Sequence, residues 1–420
     1  MPLARDALLG EARAAMGLEG RGVEGFGDDG FLEPLEVLLP ALEGEAELTV
    51  LGRWITRRFL LRLLEVRAQT IAYVRDDPGA LDEEIREPVF ITGAPRTGTT
   101  ILHELLALDP EARAPEGWEL LRPVPPPSPT SYPDPARVVI ADRELRRPAL
   151  VVSGLDAIHH YGGRMRKECV SAMSFEFRSE EFTARYHVPS YAQWLAGCDM
   201  RPAYEWHRLV LQILQRRSET ARWVLKSPVH MHSLPILVDM YPDARVVFTH
   251  RDPLAVLGSV TSLVATLRYA HSDTVDFADI GRYHADLYGR SLDRLVDLAD
   301  GGALDAARVH HTQFADFIAD PLGALENVFT ALDRPFSRET RAAARAHLAE
   351  VPRGAKGEHR YSFGDLCLDR GVERRRFARY QEHFGTPEEE PGGPRIGREF
   401  RRSTRGANFS AVWTPWANGY

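Results

Sequence analysis

The chain has 420 residues, 44% of them apolar and 27% charged, with a formal net charge of −8. That length and apolar content suffice for a large buried core, and the acidic balance argues against a general nucleic-acid binder, whose surface would be basic. No apolar run reaches the roughly 20 residues of a membrane-spanning helix, and Cys169, Cys198 and Cys367 are too scattered for a metal-ligand spacing or a disulfide framework.

The first segment, MPLARDALLGEARAAMG, mixes acids and bases within its opening turns, unlike a secretory signal, so a cytoplasmic protein is expected. Residues 1–86 read as helices. The Gly/Asp-rich GVEGFGDDG is followed by FLEPLEVLLPALEGEAEL and the long amphipathic LGRWITRRFLLRLLEVRAQTIAYV. The stretch meets the first strand without a low-complexity linker and reads as a helical N-terminal cap, with a separate partner-binding module as the alternative.

A domain over 87–385 follows. PVFIT ends in the loop GAPRTGTT, and TILHELLAL after it is helix-forming, giving strand, loop and helix in sequence. The same grammar returns at RWVLK (222–226), at RVVFTH (245–250) before DPLAVLGSVTSLVATL, and at ARVHHTQF (307–314) before ADPLGALENVFTAL. Such alternation predicts an α/β fold, a P-loop-like parallel sheet covered by helices. RPVPPPSPTSYPDP (122–135) is too proline-dense for helix or central strand. After it, a helical insertion over about 136–220 is expected to fold over the substrate mouth as a lid. From Thr386 to residue 420 the tail turns to Gly, Pro, Arg and aromatics, and reads as a lid, a homo-oligomer arm or partly disordered chain.

The spacing of Gly93, Gly98, Thr99 and Thr100 fits a phosphate-cradling loop, G-x-x-x-x-G-K-[ST], except that Thr99 stands where the lysine would be. The turn still presents successive backbone N–H groups, and the positive end of the helix beginning near Gly98 favours an anion. Arg96 adds a fixed fork of donors that stays protonated at working pH and can replace metal charge. No metal ligand set is expected.

In THRDPLAVLGS a strand ends at Arg251, Asp252 is an N-cap and Pro253 an N1 residue, so Arg251 stands at a helix entrance with Ser259 two turns along. The two could hold a second phosphate. The pair PRTGTT and RDPLAVLGS resembles the two signatures of sulfotransferases that use 3′-phosphoadenosine 5′-phosphosulfate (PAPS). APEGWEL, WVLKSPVHMHSLPIL, YPDARVVFTHRDPLAV and KGEHRYSFGDLCLD resemble, in this order, blocks of a bacterial branch with GxPRSGTT-type loops, over roughly residues 25–385.

The resemblance implies that Arg96, Thr97, Gly98, Thr99 and Thr100 hold the 5′-phosphosulfate, and that Arg251 with Ser259 holds the 3′-phosphate. It also implies that Lys356, His359 and Arg360 belong to a C-terminal loop closing over that phosphate. Ile101 departs from the cytosolic branch, which carries a tryptophan there, so adenine stacking needs another ring. Phe314 is a substitute candidate, and equally a core phenylalanine.

Sulfuryl transfer requires cations to stabilise charge on the leaving phosphate, and the assignment falls on Arg96 and Lys226, the latter at the carboxyl end of an apolar strand. A hydroxyl acceptor also needs a base. Glu116 and Glu119, three apart after Pro115, are read as sharing a helical face, with Glu119 preferred and Glu168, His230 and His232 in reserve. The expectation is a PAPS-dependent enzyme making a sulfate ester of a small-molecule hydroxyl. A P-loop kinase or NTPase and a non-catalytic nucleotide-binding protein are the alternatives. Tyr161, Phe175, Phe177, Phe182, Tyr186, Tyr191 and Trp194 in the insertion would line an acceptor pocket or form core.

Overall fold

Val89, Phe90, Ile91 and Thr92 are all buried, the pattern of a central strand covered on both faces. In the computed structural model, which describes residues 2–128, 132–152, 162–218, 222–302, 304–350 and 363–389, they form β1 (Val89–Thr92). The other strands are β2 (Ala112–Arg113), β3 (Arg222–Lys226), β4 (Arg245–His250) and β5 (Val309–Gln313). All pair in parallel, in the order β2-β3-β1-β4-β5. Four of the five follow the strands read from the sequence; β2, two residues long at the sheet edge, is too short to leave a pattern.

The register aligns the carboxyl ends. Ile91 lies opposite both Lys226 and Val247, and His250 lies opposite Gln313. The chain leaving β1 runs to β2, beyond β3, while the chain leaving β4 runs the other way to β5. Their divergence opens a crevice at the carboxyl edge, the place where open α/β sheets bind ligands.

The two-residue side-chain period divides the core. Phe90, Leu225, Val246 and Phe248 face one apolar cluster, shared with the N-terminal helices and the insertion. Val89, Ile91, Val224 and Val247 face another, against the helices Thr99–Leu106 and Pro321–Ala331. The N-terminal helices Arg5–Ala15, Leu32–Gly44 and Val50–Asp76 are thus packed into the first cluster rather than held apart from it. Arg67, fully buried on Val50–Asp76, ties them to the insertion: it donates to the carbonyls of Phe26 (2.7 Å) and Phe175 (3.2 Å) and pairs with Glu176. Fully desolvated, the guanidinium is kept by that complete set of acceptors.

Five helices of the insertion are described, Pro135–Val151, Val170–Met173, Glu180–Arg185, Pro189–Gly197 and Arg201–Gln215. Phe175, Phe177, Phe182, Tyr186 and Tyr191 are buried in the shared cluster and build core, with Trp194 packed at its margin. Tyr161 lies outside the described residues. Among the described residues no helix is long and apolar enough to cross a membrane.

Candidate active site at the carboxyl edge of the sheet

The loop after β1 is shaped by two glycines. Gly93 has φ +135°, and a Cβ there would stand 2.4 Å from the Thr249 carbonyl oxygen, so only glycine lets the loop pass this close to β4. Gly98, at φ +88°, is the N-cap of the helix Thr99–Leu106 and brings no side-chain cap, leaving the first-turn N–H groups for an outside acceptor. Thr97 braces the turn from within: its hydroxyl bonds to the Ala94 carbonyl oxygen at 2.7 Å and to the Thr249 hydroxyl at 2.5 Å. Thr97 and Thr99 are buried and Thr100 is exposed. Arg96 itself is left-handed, at φ +70°, a conformation strained for a non-glycine residue and typical of functional loops.

That backbone twist aims Arg96 across the crevice. Its Nε donates to Ser259 Oγ at 3.0 Å, and its carbonyl accepts from Arg251 Nη1 at 2.8 Å. Ser259 is buried on the helix Pro253–Tyr269, so the hydroxyl expected at a phosphate is here seated on Arg96. Arg251 lies 4.2 Å over the Phe314 ring centre, and a Cβ at Gly98 would stand 3.1 Å from the edge of that ring. The four residues form one wall. Two contacts were not read from the sequence. Glu389 Oε1 and Oε2 accept from Arg251 Nε and Nη2, each at 2.8 Å. Asp252, buried and capping Leu254 N as read from the sequence, is also gripped by both Arg374 Nη atoms at 2.7 and 3.0 Å. Glu389 stands in a tail that the sequence marks only by its change of composition, because a long-range partner leaves no local spacing.

Lys226 completes the other wall. It ends β3, its side chain is only 4% exposed, and its Nζ lies 2.5 Å from Glu168 Oε1 and 3.3 Å from Thr100 Oγ1. The pair is anchored through the backbone, because Cys169 N donates to the Lys226 carbonyl at 3.0 Å and so holds Glu168 beside the strand end. Beneath them His103 bonds through Nε2 to the Val224 carbonyl, which makes that nitrogen the donor. Burial, reinforced by the Lys226 charge, pulls its pKa down to about 3 and keeps it neutral. The structure therefore joins ammonium, carboxylate and phosphate-type loop in one contact chain.

The carboxylates preferred from the sequence do something else. Glu116 is the N-cap and Glu119 the N3 residue of the helix Gly117–Leu121, and each side chain bonds the other's backbone N–H, a capping box. Glu119 is fully buried, with Oε2 on Glu116 N at 2.8 Å and Oε1 on Arg113 Nη2 at 2.7 Å. Glu116 Oε2 accepts from Trp118 Nε1 and Arg164 Nε, both at 2.8 Å. The shared helical face expected for the two is thus a helix start. His230 is a core histidine, bonded through Nδ1 to the Tyr204 hydroxyl at 2.9 Å, with its pKa driven well below the ordinary value by burial. His232 bonds Ser291 Oγ at 2.6 Å. Lys356, His359 and Arg360 lie outside the described residues.

Residues 88–338, more than half of the chain, match the model of the sulfotransferase family. The chain belongs to that family. It is 32% identical to sulfotransferase STF1 from Mycobacterium tuberculosis, whose crystal structure superposes with a TM-score of 0.76, covering 89% of this chain and 98% of that one. Sulfotransferase STF9 from Mycobacterium avium superposes with a TM-score of 0.79 at 26% identity, covering 93% and 98%. The omega-hydroxy-beta-dihydromenaquinone-9 sulfotransferase Stf3 of Mycobacterium tuberculosis is 27% identical over 264 residues, 58% of this chain and 62% of Stf3. The match thus spans less than two thirds of that curated relative's length.

Proposed function

We propose that the protein moves a sulfuryl group from PAPS to a hydroxyl of a small-molecule acceptor, giving a sulfate ester and 3′,5′-ADP. The carrying observation is the arrangement of Arg96, Arg251 and Lys226, from three different strand ends, around a phosphate-type loop that lacks the kinase lysine. The donor set suits a nucleotide with two anionic ends. The uncapped N–H groups at Thr99 and Thr100, with Arg96, would hold the 5′-phosphosulfate; Arg251 and Ser259 would hold the 3′-phosphate; Phe314 would offer a ring for the base. When bound, PAPS supplies the activated sulfuryl group and a phosphate leaving group.

The chain's own residues supply the rest. Glu168, a quarter exposed and paired with Lys226, takes the acceptor's hydroxyl proton in this reading, in place of Glu119, whose oxygens are both committed. A proton on Glu168 neutralises the partner of Lys226 and frees the ammonium's charge for the leaving oxygen. Stf3 carries a hydroxylated quinone in its name, and an apolar alcohol is the acceptor class favoured for this chain.

The kinase reading is disfavoured by Asp252: the carboxylate at the end of β4 is spent on the helix cap and Arg374 rather than facing the loop. Calorimetric titration tests the choice. 3′,5′-ADP should bind far more tightly than AMP, with or without magnesium, and radiolabelled sulfate should pass from PAPS to alcohols of an acceptor panel. Equal affinity for AMP, or magnesium-dependent preference for ATP, would establish the kinase reading instead.

A further inference from the structure

A second concentration of charge lies where the long cap helix Val50–Asp76 meets the insertion. A cavity of about 80 Å³ there is lined by five arginines, Arg58, Arg62, Arg122, Arg147 and Arg185, but by only two carboxylates, Glu65 and Glu144. Both carboxylates, and the nearest ones behind the wall, can be assigned. Glu144 accepts from Arg122 at 2.6 and 3.2 Å and lies 3.4 Å from Arg62. Burial raises its pKa, and Arg122 with Arg62 outweighs that, so the carboxyl is held below its ordinary value. Arg185 pairs with Glu181, which also answers the charge of the buried Lys167. Glu11, on the first helix, is taken by Arg57 at 2.6 Å. Glu65, with Arg58 as its main cation, is the carboxylate left, and burial raises its pKa, while Arg147 shares the charge of Glu144 with Arg122 and Arg62.

Among the described residues neither Arg58 nor Arg147 has a carboxylate at ion-pair distance; Arg147 lies 5.8 Å from the Trp54 ring centre. Cations therefore outnumber carboxylates in a part-buried space, where each unpaired charge costs more than it would in water. Arg62 shows the cost of burial even beside Glu144, since burial pulls its pKa down to about 10. The remaining walls, Ile55, Phe59, Leu145 and Leu267 among them, are apolar. Guanidinium forks suit a carboxylate or phosphate, and the volume is about half that of cavities that admit a benzene ring, room for one oxyanion on a short apolar stem.

We infer that this cavity is a binding site for the oxyanion of an acidic small molecule, a carboxylate or phosphate carried on an apolar stem, held by Arg58, Arg147 and the Arg62–Arg122 pair. The site is separate from the residues assigned to the nucleotide, and its test does not depend on that assignment.

Propionate, methyl phosphate and propanol would be titrated calorimetrically into the full chain, the Arg58→Gln/Arg147→Gln variant and the Arg58→Lys/Arg147→Lys variant. The two anions should bind and propanol should not. The Gln variant should weaken the anions about tenfold or more, the scale of one charge-assisted contact, with the Lys variant intermediate. Binding of 3′,5′-ADP should be unchanged in both, and cooperative urea unfolding reports that the fold is intact. Propanol binding as well as propionate, or an intact Gln variant that binds the anions like the parent, would overturn the inference. Failure of 3′,5′-ADP to bind the parent chain would count against the sulfotransferase mechanism and leave the propionate comparison readable.

Discussion

The Glu389 carboxylate occupies the whole outer edge of the Arg251 guanidinium, Nε to Oε1 and Nη2 to Oε2, each at 2.8 Å. In the proposed assignment a 3′-phosphate would need that same edge, so the tail's carboxylate would compete with the nucleotide for one arginine. Glu389 is 30% exposed and solvent weakens the pair, which limits its strength to about 1 kcal/mol. Glu389→Gln should accordingly tighten 3′,5′-ADP by about fivefold and leave AMP unchanged, as read by calorimetry. Unchanged or weaker 3′,5′-ADP binding would mean that Arg251 does not meet the 3′-phosphate.

Arg96 separates stability from function. Its left-handed backbone costs roughly 1–3 kcal/mol, which glycine would relieve, less about 0.5–1 kcal/mol of added chain entropy. Arg96→Gly should therefore melt at the same temperature as the parent or higher, while sulfate transfer falls roughly 10²–10³-fold through loss of a preorganised cation. A variant that melts lower and keeps its turnover would reverse both assignments.

The strands and loop were legible because they depend on local spacing: an apolar run, then Gly93 and Gly98 five apart, then a helix. Burial of Val89–Thr92 and the αL turn at Gly98 follow directly. The proposed base, Glu168, was named from the sequence only in reserve behind Glu119. Glu116 and Glu119 carried a spacing of three that serves a capping box as well as a shared face, and sequence alone did not weigh the box. Glu168 meets Lys226 across a separation of 58 residues, because Cys169 N bonds the Lys226 carbonyl at the end of β3, a relation that no local pattern records.

Glu119 should then behave as a structural residue. Glu119→Gln removes the charge facing Arg113 in a buried pair and should lower stability on the order of 3 kcal/mol, measured by urea unfolding. Turnover per folded molecule below the transition should stay near the parent's. A large fall in turnover without loss of stability would return Glu119 to the chemistry.

Glu181 sets an acid limit on the fold. Burial raises its pKa, but Arg185 and then Lys167 outweigh it and hold the carboxyl at about 2, against an ordinary value of 4.5. A depressed folded pKa means stability that is fully present above pH 4.5 and is lost as pH falls toward 2. The urea midpoint of the parent should drop between pH 5 and 3 more steeply than that of Glu181→Gln, which has no such proton to take up. Parallel pH curves for the two would show that the pair contributes nothing there.

Lys226 and Glu168 act as one unit in the proposed chemistry, and their variants should show it. Lys226→Ala removes an ammonium that matters most as charge grows on the leaving oxygen, so turnover should fall roughly 10²–10³-fold while PAPS affinity changes little. Glu168→Gln removes the base, and its effect should be larger for alcohols of high pKa than for acidic phenols, since a phenol gives up its proton with less help. Because the two side chains are in contact, the double variant should lose much less than the product of the single losses. Steady-state kinetics on an alcohol and a phenol distinguish the cases. Full activity of Lys226→Ala, or a Glu168→Gln defect that ignores acceptor acidity, would remove the pair from the mechanism even if the nucleotide bound as expected.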